Sequence, residues 1–183
     1  MAHAPTITDE ERAHVIQLLR DSEGAFLELT SGLTDAQWTR AAPGCWSVQQ
    51  TAEHLVLGEI AMLDRVTAAL ANPPDPDWEE QDARKTSFLS RVLPDRSRKA
   101  TAPTVLEPHR HWTREETIAR YKEGRARTLK FIEEVDRPLK GHWAKHPFPV
   151  FGMLNAYQWL LYIPLHNTRH NQQIAEALKA IVP

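Results

Sequence analysis

The sequence predicts an all-α domain: four long helices packed as a four-helix bundle, with a long connection between the second and the third. Three observations carry this. Capping-box quartets stand at Thr8-Asp9-Glu10-Glu11, Ser47-Val48-Gln49-Gln50 and Thr113-Arg114-Glu115-Glu116. In such a quartet the hydroxyl accepts from a free backbone N–H, and the acid or amide three residues on reaches back to the cap. Each quartet leads into apolar residues at spacings of three and four, the period of a helix with one buried face. A fourth, more apolar stretch with that period closes the chain without a box. At 183 residues the chain suits a single domain, 1–183, with a sizeable core.

The first helix spans roughly 8–31, with Val15, Leu18, Leu19, Ser22, Phe26 and Leu29 on one face and Gly32 as its stop. Leu33 to Gly44 reads as a connector, punctuated by Pro43-Gly44. The second helix opens at Ser47, with Trp46 placed as a hydrophobic staple, and runs to about Ala71 before Pro73-Pro74. Its stripe is Val48, Ala52, Leu55, Met62, Leu63, Val66 and Leu70. His54 falls on the flank of that stripe beside Thr51, Gly58 and Ala61, where small neighbours leave room for a ring or a ligand. Glu59 lies inside the stripe, an odd place for an acid. From 73 to 111 the chain is rich in proline and charge with weak periodicity. Phe88 to Leu93 reads there as a short helix or turn, and a connection this long is expected to cover the open end of the bundle. The third helix carries Ile118, Tyr121, Leu129, Ile132 and Val135 to about Asp136, ahead of Pro138. A loop rich in aromatics and proline occupies 141–152, and the fourth helix extends from about Met153 to Ala180.

Composition narrows the function classes. Apolar content of 42% and charged content of 25% are ordinary for a soluble globular chain. A net charge of −2 argues against tracking a polyanion, which needs a concentrated basic face, so no nucleic-acid partner is expected. The apolar patch from Leu154 to Leu165 is interrupted by Asn155, Gln158 and Pro164, too short and too polar to span a bilayer. The lone Cys45 cannot form an internal disulfide and is expected as a small packed thiol. The opening residues hold no apolar run of the kind a secretion signal needs, so a cytoplasmic protein is the expectation. There is no internal repeat, no glycine-rich phosphate cradle, no G-x-S-x-G elbow and no C-x-x-C pair.

On the fourth helix Asn155, Gln158, Tyr162, His166, His170 and Gln173 recur at spacings of 3, 4, 4, 4 and 3. They gather on about a third of the circumference. Buried polar groups must be paired or must serve a site, so a polar stripe on so apolar a helix needs a cause. Pro164 is expected to bend the helix just before the histidines. His166 and His170, four apart, stack one turn above the other and can reach one metal ion. No glutamate lies between them, so the metalloprotease base is missing, and a third ligand must come from elsewhere; His54 is expected to supply it. His109 with His111, and His142 with His146, are weaker candidates because loop spacing implies no geometry. His14 is expected on the outside of the first helix. Spacing by itself leaves a metal site and a set of packed histidines as equal alternatives.

Two segments now stand out. One is Trp46-Ser47-Val48-Gln49-Gln50-Thr51-Ala52-Glu53-His54-Leu55. The other begins Phe151-Gly152-Met153-Leu154-Asn155-Ala156-Tyr157-Gln158-Trp159 and continues to His166-x-x-Arg169-His170-x-x-Gln173-Ile174. Together they resemble the DinB superfamily, and within it the YfiT-like metal-dependent hydrolases, over nearly the whole chain. The resemblance implies a four-helix bundle, often dimeric, holding a divalent metal through three histidines, here His54, His166 and His170. Family members include thiol-dependent transferases and isomerases. Gly44-Cys45 departs from the lysine or other polar residue that commonly precedes the tryptophan, a change at the turn that leaves the ligands intact.

Three neutral imidazoles leave a fourth coordination position open, as in catalytic sites. Water there would have its pKa lowered toward neutrality, or a thiol cosubstrate could be held as thiolate. Zinc or nickel suits such a site. Gln173, Gln50 and Tyr162 are the candidates to orient the rings. Glu53 and Glu59, the acids nearest His54 in sequence, are the candidate proton acceptors, and Arg169 could hold an anionic group or an outer salt bridge. The expectation is therefore a homodimer that is a metal-dependent hydrolase acting on a small molecule. The alternatives are a thiol S-transferase, a bundle that binds metal or a small molecule without turnover, and a plain structural dimer in which the histidines only pack. Convergence of three imidazole nitrogens on one point is what the metal readings require.

Overall fold

The three boxes close as their sequences require. The side chains of Thr8, Ser47 and Thr113 accept from the backbones of Glu11, Gln50 and Glu116, and each of those side chains returns a bond to the cap. Each cap is worth about 1 kcal/mol against alanine. The computed structural model describes residues 5–97 and 101–181. Its helices are α1 (Asp9–Thr30), α2 (Asp35–Thr39), α3 (Val48–Ala71), α4 (Trp78–Val92), α5 (Arg114–Glu134) and α6 (Ala156–Ile181).

Four of them form the bundle. Helix α6 packs on α3 and α1, and α5 packs on the same two from the other side. Helices α1 and α3, successive members of the bundle along the chain, therefore sit on one diagonal, and α5 and α6 on the other. No described helix is long and apolar enough to cross a membrane.

The connections depart from expectation in three places. A fourth capping box, Thr34 with Gln37, opens the short α2 inside the segment expected as plain connector. Between α3 and α5 the short helix or turn expected at Phe88–Leu93 is the end of a longer helix, α4, followed by a 3₁₀ turn at Thr104–Leu106. Residues 153–155, expected as the start of the last helix, instead form β2 (Met153–Asn155), antiparallel to β1 (Trp143–Lys145). Asn155 and Gln158 exchange side-chain-to-backbone bonds of 3.1 and 2.8 Å across the start of α6, and both side chains reach Asp82 on α4. The upper part of the expected polar stripe is thus a helix cap and the anchor for α4. Cys45, expected to be packed, is exposed.

Two apolar clusters fill the bundle. One gathers Val15 and Leu19 of α1, Met62 and Val66 of α3, Ile132 of α5 and Leu154 to Leu165 around the start of α6. The other gathers Phe26, Trp38, Leu55, Val56, Tyr121 and Ile174. Between them lies a polar layer to which every bundle helix contributes: Ser22 from α1, Glu59 from α3, Arg125 and Thr128 from α5, Asn167 and Asn171 from α6, all buried. The metal candidates stand in the same layer.

Candidate metal centre

His54 sits in the first half of α3, while His166 directly follows the apolar run of α6 and His170 stands one turn further on. Because α3 and α6 are neighbours, residues 112 positions apart meet: His54 Nε2 lies 3.2 Å from His166 Nε2, and His170 Nε2 lies 3.1 Å from the same atom. All three ligand atoms fall within 4.8 Å of one another. Gly58 makes room for this approach, since a Cβ there would come within 3.2 Å of His166 Cε1.

The remaining ring nitrogens decide what the cluster can hold. His54 Nδ1 stands 2.8 Å from the carbonyl of Leu106, and His170 Nδ1 stands 2.8 Å from Gln173 Oε1. A carbonyl oxygen only accepts, so both Nδ1 atoms carry protons, and in neutral rings both Nε2 atoms present lone pairs. Burial holds all three rings neutral. It lowers His54 below the usual histidine range, takes His170 to about 3, and, with His170 and His54 close by, holds His166 well below that range. His166 Nδ1 is buried with no hydrogen-bond partner. At most one proton is left among three converging Nε2 atoms, an arrangement that repels itself unless a cation lies between them. Three nitrogens about 2.0–2.1 Å from one tetrahedral ion stand roughly 3.3 Å apart, close to the spacing seen. The donor set therefore fits a divalent metal.

Comparison with known proteins places the fold. The DinB superfamily profile matches residues 18–174. The chain belongs to the DinB superfamily. No curated protein matches it. Among solved structures it is similar to YfiT from Bacillus subtilis, described as a probable metal-dependent hydrolase with an unusual four-helix bundle topology. That likeness has a TM-score of 0.63 at 16% identity, covering 99% of this chain and 93% of YfiT. At that identity it speaks for the DinB fold alone.

The other residues expected at the DinB site divide. Gln173 orients His170, and the Tyr162 ring lies at 5.9 Å and 30° to that of His166. Gln50 is occupied in the α3 capping box. Arg169 bonds the carbonyl of Asp95, and its charge lowers His166 and His170. Glu53 accepts from the Arg110 backbone N–H at 2.5 Å. Glu59 turns into the bundle, where Arg125 Nε and Nη2 grip both its oxygens at 2.9 and 3.0 Å and Thr128 donates at 2.8 Å. Its carboxylate is committed to an ion pair. Of the weaker histidine candidates, His142 bonds the Asn72 carbonyl, His146 is stacked on Trp159, and His109 is exposed beside Glu107.

Two contacts at the site had no usable sequence signal. The Leu106 carbonyl is a backbone group, indistinguishable from any other. Arg96, from the segment after α4, donates to Gln173 at 3.3 Å while paired with Glu176, so the amide that holds His170 is itself held. Trp46, read as a staple, also packs its ring 5.0 Å from that of His54.

Proposed function

We propose that this DinB protein is a metal-dependent hydrolase that binds zinc or nickel through His54, His166 and His170 and acts on a small molecule. The observation that carries the reading is the convergence of three neutral Nε2 atoms, two of them fixed from behind by Leu106 and Gln173. When bound, such an ion supplies Lewis acidity, lowering the pKa of a coordinated water or thiol and polarising a carbonyl. The chain's own residues orient the rings and exclude water from behind them: Trp46 against His54, Tyr162 against His166. The description of YfiT as a probable metal-dependent hydrolase supports the same reading.

One observation favours a second reading, a thiol S-transferase. Both acids nearest His54 in sequence are already engaged, Glu53 by Arg110 and Glu59 by Arg125. Attack by water calls for a proton acceptor within the site, whereas a thiol, with a free pKa of about 8.5, would give its proton to bulk solvent on meeting the ion. Metal analysis of the purified protein, followed by ester, amide and thiol-plus-electrophile substrates with His170→Ala as the reference, tests both. Turnover lost in His170→Ala supports catalysis at this site. Turnover equal to wild type in every assay removes it and leaves a binding bundle. We further propose a cytoplasmic homodimer, in keeping with the single cysteine, to be checked by sedimentation.

A further inference from the structure

We infer that the buried ladder Glu59–Arg125–Asn167 is a positioning device for the histidine centre, setting the rotation of α6 so that His166 and His170 meet His54. The inference rests on reading the three histidines as a metal site. Asn167 and Asn171 each follow a metal candidate by one residue, so α6 carries two parallel pairs four residues apart, offset by about 100° around the axis. Turning the helix to disturb one pair disturbs the other.

The ladder ties that second pair to all three remaining bundle helices. Asn167 Oδ1 accepts from Arg125 Nη2 at 2.8 Å and from the Tyr121 hydroxyl at 2.5 Å, both on α5. Arg125 is clamped to Glu59 of α3 and also donates to Ser22 and the Leu19 carbonyl of α1. Asn167 donates to Asn171 at 2.9 Å, and Asn171 donates to the Ser22 carbonyl at 2.9 Å.

The tolerance explains why a directional tie matters. A ligand atom roughly 5–6 Å from the helix axis moves about 1 Å when the helix turns by about 10°. Metal–ligand distances hold to about 0.2 Å, so only a few degrees are allowed. Apolar packing is non-directional and sets no such angle, while hydrogen bonds fall off steeply with misalignment. The apolar clusters above and below hold the helices together, and the ladder between them fixes how α6 faces α3.

The test uses the full chain with Zn2+ and Co2+. Affinity is read by chelator competition, and the Co2+ visible spectrum reports ligand geometry. Asn167→Ala should fold, by circular dichroism, yet bind Zn2+ on the order of tenfold more weakly with an altered Co2+ spectrum. Tyr121→Phe removes one bond to Asn167 and should shift both readouts less. Ile132→Val takes a methyl from the fully buried core of α5 away from the ladder, so it should lower thermal stability and leave Zn2+ affinity and the spectrum as in wild type. Wild-type affinity and spectrum in Asn167→Ala would overturn the inference. So would Ile132→Val weakening the metal as much as Asn167→Ala, since the effect would then be general loosening. Should Asn167→Ala not fold, Tyr121→Phe decides by the same criteria. A wild-type chain that takes up neither ion overturns the metal reading itself, and this inference with it.

Discussion

Two polar clusters share one layer of the bundle, on adjacent faces of α6, and they are built on opposite terms. Around Arg125 the hydrogen bonds close: its guanidinium meets a carboxylate, a carbonyl, a hydroxyl and an amide, and the carboxylate takes Thr128 besides. Around His166 they do not close, because three imidazoles turn acceptor atoms toward one another and one Nδ1 has no partner. Buried polar groups in folded proteins are nearly always satisfied, so the closed cluster reads as architecture and the open one as a place for a ligand. Burial and polarity are alike in both. Satisfaction separates them.

The largest effect should come from breaking the closed cluster. Glu59→Ala leaves a fully buried guanidinium without its carboxylate and should cost about 3–5 kcal/mol in denaturant unfolding, whereas removing both partners with apolar residues should cost much less. Equal stability of Glu59→Ala and wild type would erase the distinction between the clusters. The open cluster should respond in the reverse sense. His54→Ala should lose metal affinity by at least about a hundredfold, judged by competition, while the metal-free protein stays folded, since what goes is one of three mutually repelling acceptors. Unfolding together with metal loss would make the histidines structural.

Acid should distinguish them next. The histidines are neutral when folded, with His170 at about 3, but their ordinary value is 6.5. Between those values the unfolded chain binds protons that the folded chain refuses. Metal-free stability should therefore be full above about pH 6.5 and fall as the pH is lowered toward 3. Melting temperature against pH should show this slope, and His170→Ala should flatten it. An identical slope in that variant would mean the titration arises elsewhere.

The smallest effect is expected at Gly58. Gly58→Ala gains helix propensity of about 0.8–1 kcal/mol but sets a methyl 3.2 Å from His166 Cε1. Overall stability should move by less than about 1 kcal/mol, and Zn2+ affinity should drop several-fold because the ring must give way. Unchanged affinity would show that His166 has slack.

How much of this was legible differs between the two clusters as well. The histidine centre could be read because His166 and His170 share one turn spacing and His54 lies in a segment with its own motif. The ladder left only half a sign, the acid Glu59 in an apolar stripe. Its counterpart, Arg125, sits four residues after Tyr121 and four before Leu129 on the buried face of α5, which is the other half. Two opposite charges inside two apolar stripes call for each other, and that pairing was there to be made. The hairpin went unread because three-residue strands carry no period, and Asn155-x-x-Gln158 passed for a functional stripe although its spacing is that of a cap.

What the chain by itself determined was everything encoded within about four residues: helix starts, through hydroxyls and acids that satisfy the first free N–H groups, and buried faces, through the 3.6-residue period. What only the tertiary structure decided were the meetings across 52, 66 and 112 residues, His54 with the Leu106 carbonyl, Glu59 with Arg125, and His54 with His166. Local bonds depend on neighbours along the helix, which the sequence states directly. Distant ones depend on which helices stand side by side and at what rotation, and that is settled by the packing of the whole bundle.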